Sequence, residues 1–141
     1  WGGSASVIVY SKKALQATGL FDPLFFAYLE DVDLALRLND SGFKTLFIPK
    51  AIAYHRGGGT ADKQKGLRYR LVARNWWFII LKHYSLSYLF KYRQEVIIEQ
   101  FKNFYKVDSL VDKLWVVREV ISKWPKINKK RKPILVLPQA S

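Results

Sequence analysis

Residues 25–60 read FFAYLEDVDLALRLNDSGFKTLFIPKAIAYHRGGGT, and the fold turns on how this stretch is understood. Glu30, Asp31 and Asp33 fall within four residues, and a lone His55 stands just ahead of three glycines. The pattern predicts a helix over about 30–39, with Gly42 just beyond its end. Leu34 and Leu38 would share one face, while Asp33 and Arg37, four apart, can pair on another. Residues 43–48 and 51–55 are short apolar runs and read as strands parted by Pro49 and Lys50. Three successive glycines leave the following loop with little backbone preference.

Upstream, the β-branched run SASVIVY at 4–10 reads as a buried strand. Ser11 can cap a short helix over 12–18, which Gly19 would end. Residues 20–28 form a loop in which Asp22-Pro23 favours a turn and the aromatics anchor to the core. Downstream, helices are expected over about 63–83, 87–105 and 109–123. The run WWFIIL at 76–81 is too short to span a bilayer, and Arg74, Lys82 and His83 flank it closely. A basic run, KWPKINKKRKP, follows a Trp-Pro break, and 134–141 is a short strand or an unstructured tail. The organisation expected is therefore 1–62, a helical region 63–123, and a basic tail 124–141.

Half of the 141 residues are apolar and 16% are aromatic, enough for a packed core and against overall disorder. There is no cysteine, which excludes disulfides and cysteine-based zinc sites. Trp1 opens the chain with no basic-then-apolar signal segment, as expected of a piece whose N-terminal part is absent. The net charge of +13 is uneven. Residues 1–62 carry six Lys/Arg and six Asp/Glu, whereas 63–141 carry eighteen against five. A balanced, acid-bearing first part and a basic second part facing an anionic partner are implied.

Acids at a helix start are ordinarily favoured by the helix dipole, and a lone histidine at a strand end is ordinarily structural. Crowding argues for more, because neighbouring like charges repel unless a cation or donor is close. A carboxylate at a helix start can take a proton from an incoming hydroxyl. An imidazole can bind a divalent metal, and glycines let backbone amides approach phosphate oxygens.

The composite order is more specific than any of its parts. It runs from a small-residue strand through G-x-F-D-x-x-F-F, E-D-x-D-L-x-x-R, G-F and P-x-A to a terminal histidine. Over roughly residues 2–90, including RYRLVARNWWFIILKHYSL, it resembles the C-terminal half of the catalytic domain of family 2 glycosyltransferases, nearest the rhamnosyltransferase-like enzymes. The resemblance implies an α/β fold: the C-terminal half of a GT-A-type sandwich, followed by a helical basic extension. It implies an inverting transfer of sugar from a nucleotide-sugar donor to a glycan or lipid-linked acceptor hydroxyl. Asp31 would be the general base and Glu30 would shape the acceptor pocket. Gly2, Gly3, Arg56 and Gly57 would line the substrate site. His55 would help hold a divalent cation, Mg²⁺ or Mn²⁺, on the donor diphosphate. Asp33 would instead pair with Arg37. The only D-x-D is Asp31-Val32-Asp33 inside the acceptor motif, so the donor half would lie upstream, and this piece alone would be inactive.

The basic second part admits three readings: a solvated helical face, a nucleic-acid binder, or a peripheral attachment to anionic membrane. Lysines, arginines and aromatics together can grip phosphates and stack bases, but no nucleic-acid motif is present. Trp76, Trp77, Tyr84, Tyr88, Trp115 and Trp124 suit a headgroup zone, and cations 126–132 suit anionic lipid. The enzyme reading places the protein in the cytoplasm or on the cytoplasmic membrane face. The rival class is a basic helical module that binds nucleic acid or membrane without catalysis.

Overall fold

A computed structural model of the chain describes residues 7–54 and 65–133. The chain divides into two compact units, Trp1–Lys63 and Gln64–Ser141. Among the described residues the first holds α1 (Lys12–Thr18) and α2 (Glu30–Asp40). The described residues of the second hold α3 (Lys65–His83), α4 (Leu86–Lys91), α5 (Arg93–Tyr105) and α6 (Leu110–Lys129).

The described residues contain no strand, which overturns the α/β, GT-A-type expectation. Residues 7–10, 43–48 and 51–54 are irregular, and so is every apolar run that read as a strand within the described range. The reason is physical. Alternation and β-branching give a segment strand propensity, but a strand exists only as a rung in a ladder with neighbours. These segments have no ladder partner among the described residues, and most of their side chains face water: Val9 is 97% exposed and Phe47 89%.

In the first unit, α1 ends where Gly19 turns to a φ of 82°, a conformation that favours glycine. Ser11 occupies its N-cap without making the side-chain bond a serine can supply. α2 closes in a Schellman turn: Gly42 (φ 81°) donates to the Asn39 carbonyl and Phe43 to that of Leu38, each at 3.0 Å. Ala14, Phe25, Leu34 and Leu36 make the small apolar centre. Asp22 forms the expected turn, its Oδ1 accepting from the Leu24 amide at 3.1 Å. Of the loop aromatics Phe25 is buried, whereas Phe26 is exposed.

The second unit is built around α3, against which α5 and α6 pack. Leu71, Ala73, Phe78, Ile79 and Ile80 of α3 are all buried. Val107 and Val116 join Ala73, with Tyr69, Phe104 and Trp115 packed around them. Ser85 caps α4 and Ser109 caps α6, each hydroxyl accepting an amide three residues on. The expected helix over 87–105 is two helices, broken at Tyr92 (φ −110°). The expected stop at Trp124-Pro125 is also corrected: α6 runs through Pro125 to Lys129. Proline removes one amide donor, that to Ile121, whose surroundings are open to water. Ile127 beyond it is 1% exposed, and its burial holds the last turn in place.

Candidate functional site

Three carboxylates share the first turn of α2, and their surroundings separate them. Asp33 is fully buried and accepts from Arg37 Nε at 2.9 Å. The same guanidinium donates to the carbonyls of Thr18 (2.6 Å) and Leu20 (2.7 Å), with a longer contact to Gly19 (3.3 Å). Arg37 thus ties α2 to the end of α1, and Asp33 supplies the buried counter-charge. Its planar fork suits this task, since several acceptors converge on one side chain. Asp33 is a structural residue.

Glu30 and Asp31 are half-buried at the N-terminus of α2, where unsatisfied amides favour negative charge. Asp31 Oδ1 accepts from the Val32 amide at 2.9 Å. Glu30 Oε2 is buried and accepts no hydrogen bond among the described residues. A buried acceptor left unpaired costs about 1–3 kcal/mol, so a hydroxyl donor arriving there is favoured.

The loop that delivers these groups is strained. Phe26, Tyr28 and Leu29 all take left-handed φ values, 63°, 67° and 65°. Three bulky residues in that region within four positions represent roughly 1–3 kcal/mol each, and such strain clusters at functional sites. Leu29 stands at the N-cap of α2 and has no side chain to cap it. Neither the strain nor its position is visible in a sequence without glycine at those places.

Tyr10 is the residue that sequence reasoning passed over. Its hydroxyl is pushed above the usual tyrosine range, first by burial and then by the nearby charges of Asp31 and Glu30. Its ring meets Phe21 edge-on, centroids 6.0 Å apart. An aromatic hydroxyl at the end of an apolar run was the only signal, and it matches an ordinary core residue equally well. Glu30, Asp31, Tyr10 and Phe21 therefore form one polar–aromatic cluster in the first unit.

Comparison with known proteins gives a partial relationship to a glycosyltransferase. Over 58 residues the chain is 34% identical to an N-acetylglucosaminyl-diphospho-decaprenol L-rhamnosyltransferase of Mycobacterium tuberculosis, in strain CDC 1551 / Oshkosh and equally in strain ATCC 25618 / H37Rv. The matched stretch is 40% of this chain and 19% of the relative. The chain thus spans about a fifth of the length of the curated relatives it matches. No family model matches, and no solved structure matches.

Gly2, Gly3, His55, Arg56 and Gly57 lie outside the described residues, and so does any convergence of His55 with Asp31. Among the described residues no group of three His, Cys, Asp or Glu side chains could hold a metal ion. With Asp33 committed to Arg37, the carboxylates of α2 do not form a divalent-cation site on their own. In the second unit, Arg74, Asn75, Lys82 and His83, within the stretch RYRLVARNWWFIILKHYSL, are buried in the packing of α3. Arg74 donates to Asn75 Oδ1 (2.9 Å) and Glu119 Oε2 (3.3 Å), and its guanidinium lies over the rings of Phe78 and Trp115. Burial lowers its proton affinity, opposed by Glu119. These residues serve the helical core.

Proposed function

We propose that the first unit carries the acceptor-activating part of a glycosyltransferase, acting with a longer chain that binds a nucleotide-sugar donor. The observation that carries this reading is the division of labour at the start of α2. Asp33 is locked to Arg37, while Glu30 holds a buried, unpaired oxygen beside Asp31 at the end of a strained loop. The partial likeness to a rhamnosyltransferase, whose name includes a lipid-diphosphate-linked sugar, supports the same class.

In this reading Glu30 Oε2 accepts a hydrogen bond from the sugar acceptor and orients it. Asp31 removes the proton from the attacking hydroxyl. The acceptor oxygen then bonds to the anomeric carbon from the face opposite the leaving group. The bond from that carbon to the diphosphate oxygen breaks, and the nucleoside diphosphate leaves with the electron pair. Tyr10 and Phe21 offer aromatic surface for the apolar face of a sugar ring. The divalent cation that the resemblance assigns to His55 would neutralise the leaving diphosphate.

A positioned general base typically contributes about 10²–10⁴-fold to rate. In the full-length enzyme, Asp31→Asn is expected to lower turnover within that range and leave donor affinity nearly unchanged. Radiolabelled sugar transfer and donor binding by calorimetry measure the two separately. Turnover near the wild-type rate in Asp31→Asn would remove Asp31 from the base role.

A further inference from the structure

The geometry of α6 points to a docking surface for an anionic lipid bilayer, independent of the carboxylate cluster in the first unit. α6 turns Val116 and Ile127 inward, with Trp115 against the core that includes α3. A separate stripe, Leu110, Leu114, Val117, Ile121 and Trp124, recurs every three to four residues and is exposed along its whole length. Large apolar side chains scattered singly on a surface need no explanation, but a stripe of five along one helix does. α5 repeats the arrangement: Gln100 is buried, while Ile97, Ile98, Phe101 and Tyr105 are exposed.

The charges around the stripe select the occupant. α6 has two carboxylates, and both are engaged by α3: Asp112 with Arg70 at 2.9 Å and Glu119 with Arg74 at 3.3 Å. Beside the stripe stand Lys113, Arg118 and Lys129, with no unengaged acid on that helix, while Lys123 and Lys126 fall on the side of Val116 and Glu119. An apolar stripe with a purely cationic rim complements a surface that is greasy at depth and negative above it, which describes an anionic leaflet. A second copy is disfavoured, because pairing two such stripes side by side brings Lys113 and Arg118 against like charges. Among the described residues no helix is long and apolar enough to cross a membrane, so α6 would lie in the interface plane. The surface is the α6 stripe, of which the sequence-based membrane expectation, set on six aromatics and cations 126–132, included only Trp124.

The test is vesicle sedimentation of the full chain with pure phosphatidylcholine and with mixed phosphatidylcholine/phosphatidylglycerol. Wild type is expected to bind the mixed vesicles and to bind the neutral ones far more weakly. Leu114→Ser with Ile121→Ser is expected to weaken binding by about tenfold or more at unchanged far-UV circular dichroism. Lys113→Gln, Arg118→Gln and Lys129→Gln together are expected to weaken it by about a hundredfold. Chain-brominated lipid should quench wild type more than Trp124→Phe, which places the indole at acyl depth. Equal binding to neutral and anionic vesicles overturns the proposal, as does binding that neither variant weakens. It is also overturned by no vesicle binding together with a dimer that the double serine variant dissolves, or with tight binding to a single-stranded oligonucleotide.

Discussion

The two units solve the problem of buried charge in opposite ways. In the first, one cation is used to hold irregular backbone: Arg37 gathers carbonyls from residues 18–20 against a carboxylate with no exposure at all. In the second, cations decorate helices that already satisfy their own backbone. Arg74 and Arg70 join α3 to α6 through Glu119 and Asp112, flanked by Trp115. The same chemistry is therefore structural glue in one place and a fastening between finished parts in the other. Where the backbone depends on a side chain, removing that side chain should matter most.

The largest effect is accordingly expected from Arg37→Ala. It leaves Asp33 buried without the Arg37 charge and frees the turn after α1, costing about 3–5 kcal/mol. Amide exchange should accelerate across residues 12–22, and urea unfolding should show an earlier transition. Protection equal to wild type in α1 would erase the contrast between the units. A smaller loss, about 2 kcal/mol, is expected from Arg74→Met, which keeps the contact with the aromatics and removes the charge-assisted bonds. Glu119 is partly exposed and can rehydrate, so the penalty stays below that of Arg37→Ala. Thermal unfolding of the two variants side by side ranks them.

The smallest effect belongs to Asp112 at the surface. Its carboxyl is held below the usual range by the Arg70 hydrogen bond first and the Ser109 hydroxyl second. A lowered folded-state value stabilises the protein above the carboxyl's unfolded value, and that contribution is lost as pH falls through the folded one. Arg70→Gln should move the Asp112 midpoint upward toward the ordinary carboxylate range, read from its side-chain carbon resonance. An unmoved midpoint would show that the α6 cap, and not the link to α3, sets it.

Much of this architecture was legible where the signal is local. Gly19 and Gly42 mark helix ends because a positive φ suits glycine, and Ser109 marks a start because its hydroxyl reaches an amide three residues on. The Asp33–Arg37 pair followed from their spacing on one turn. The strands did not follow, since residues 43–48 carry the propensity without a partner to pair with. Nor did the continuation of α6 through Pro125, which rests on the burial of Ile127. At the candidate site, the two carboxylates were named from the sequence, but Tyr10 and the three left-handed residues before α2 were not.

By itself the sequence determined the helix boundaries that caps and glycines mark, the charge division between the two parts, and the carboxylate cluster at α2. Those properties act over about one helical turn or are simple sums along the chain. Only tertiary structure decided that Asp33 is fully buried while Glu30 keeps a buried oxygen without a hydrogen bond, how Arg37 reaches back 17 residues to Leu20, and how Arg131 reaches 47 residues to Tyr84. The same holds for the face of α6 left to water. Ion pairs, ladders and burial depend on what arrives alongside, and neither periodicity nor spacing encodes that.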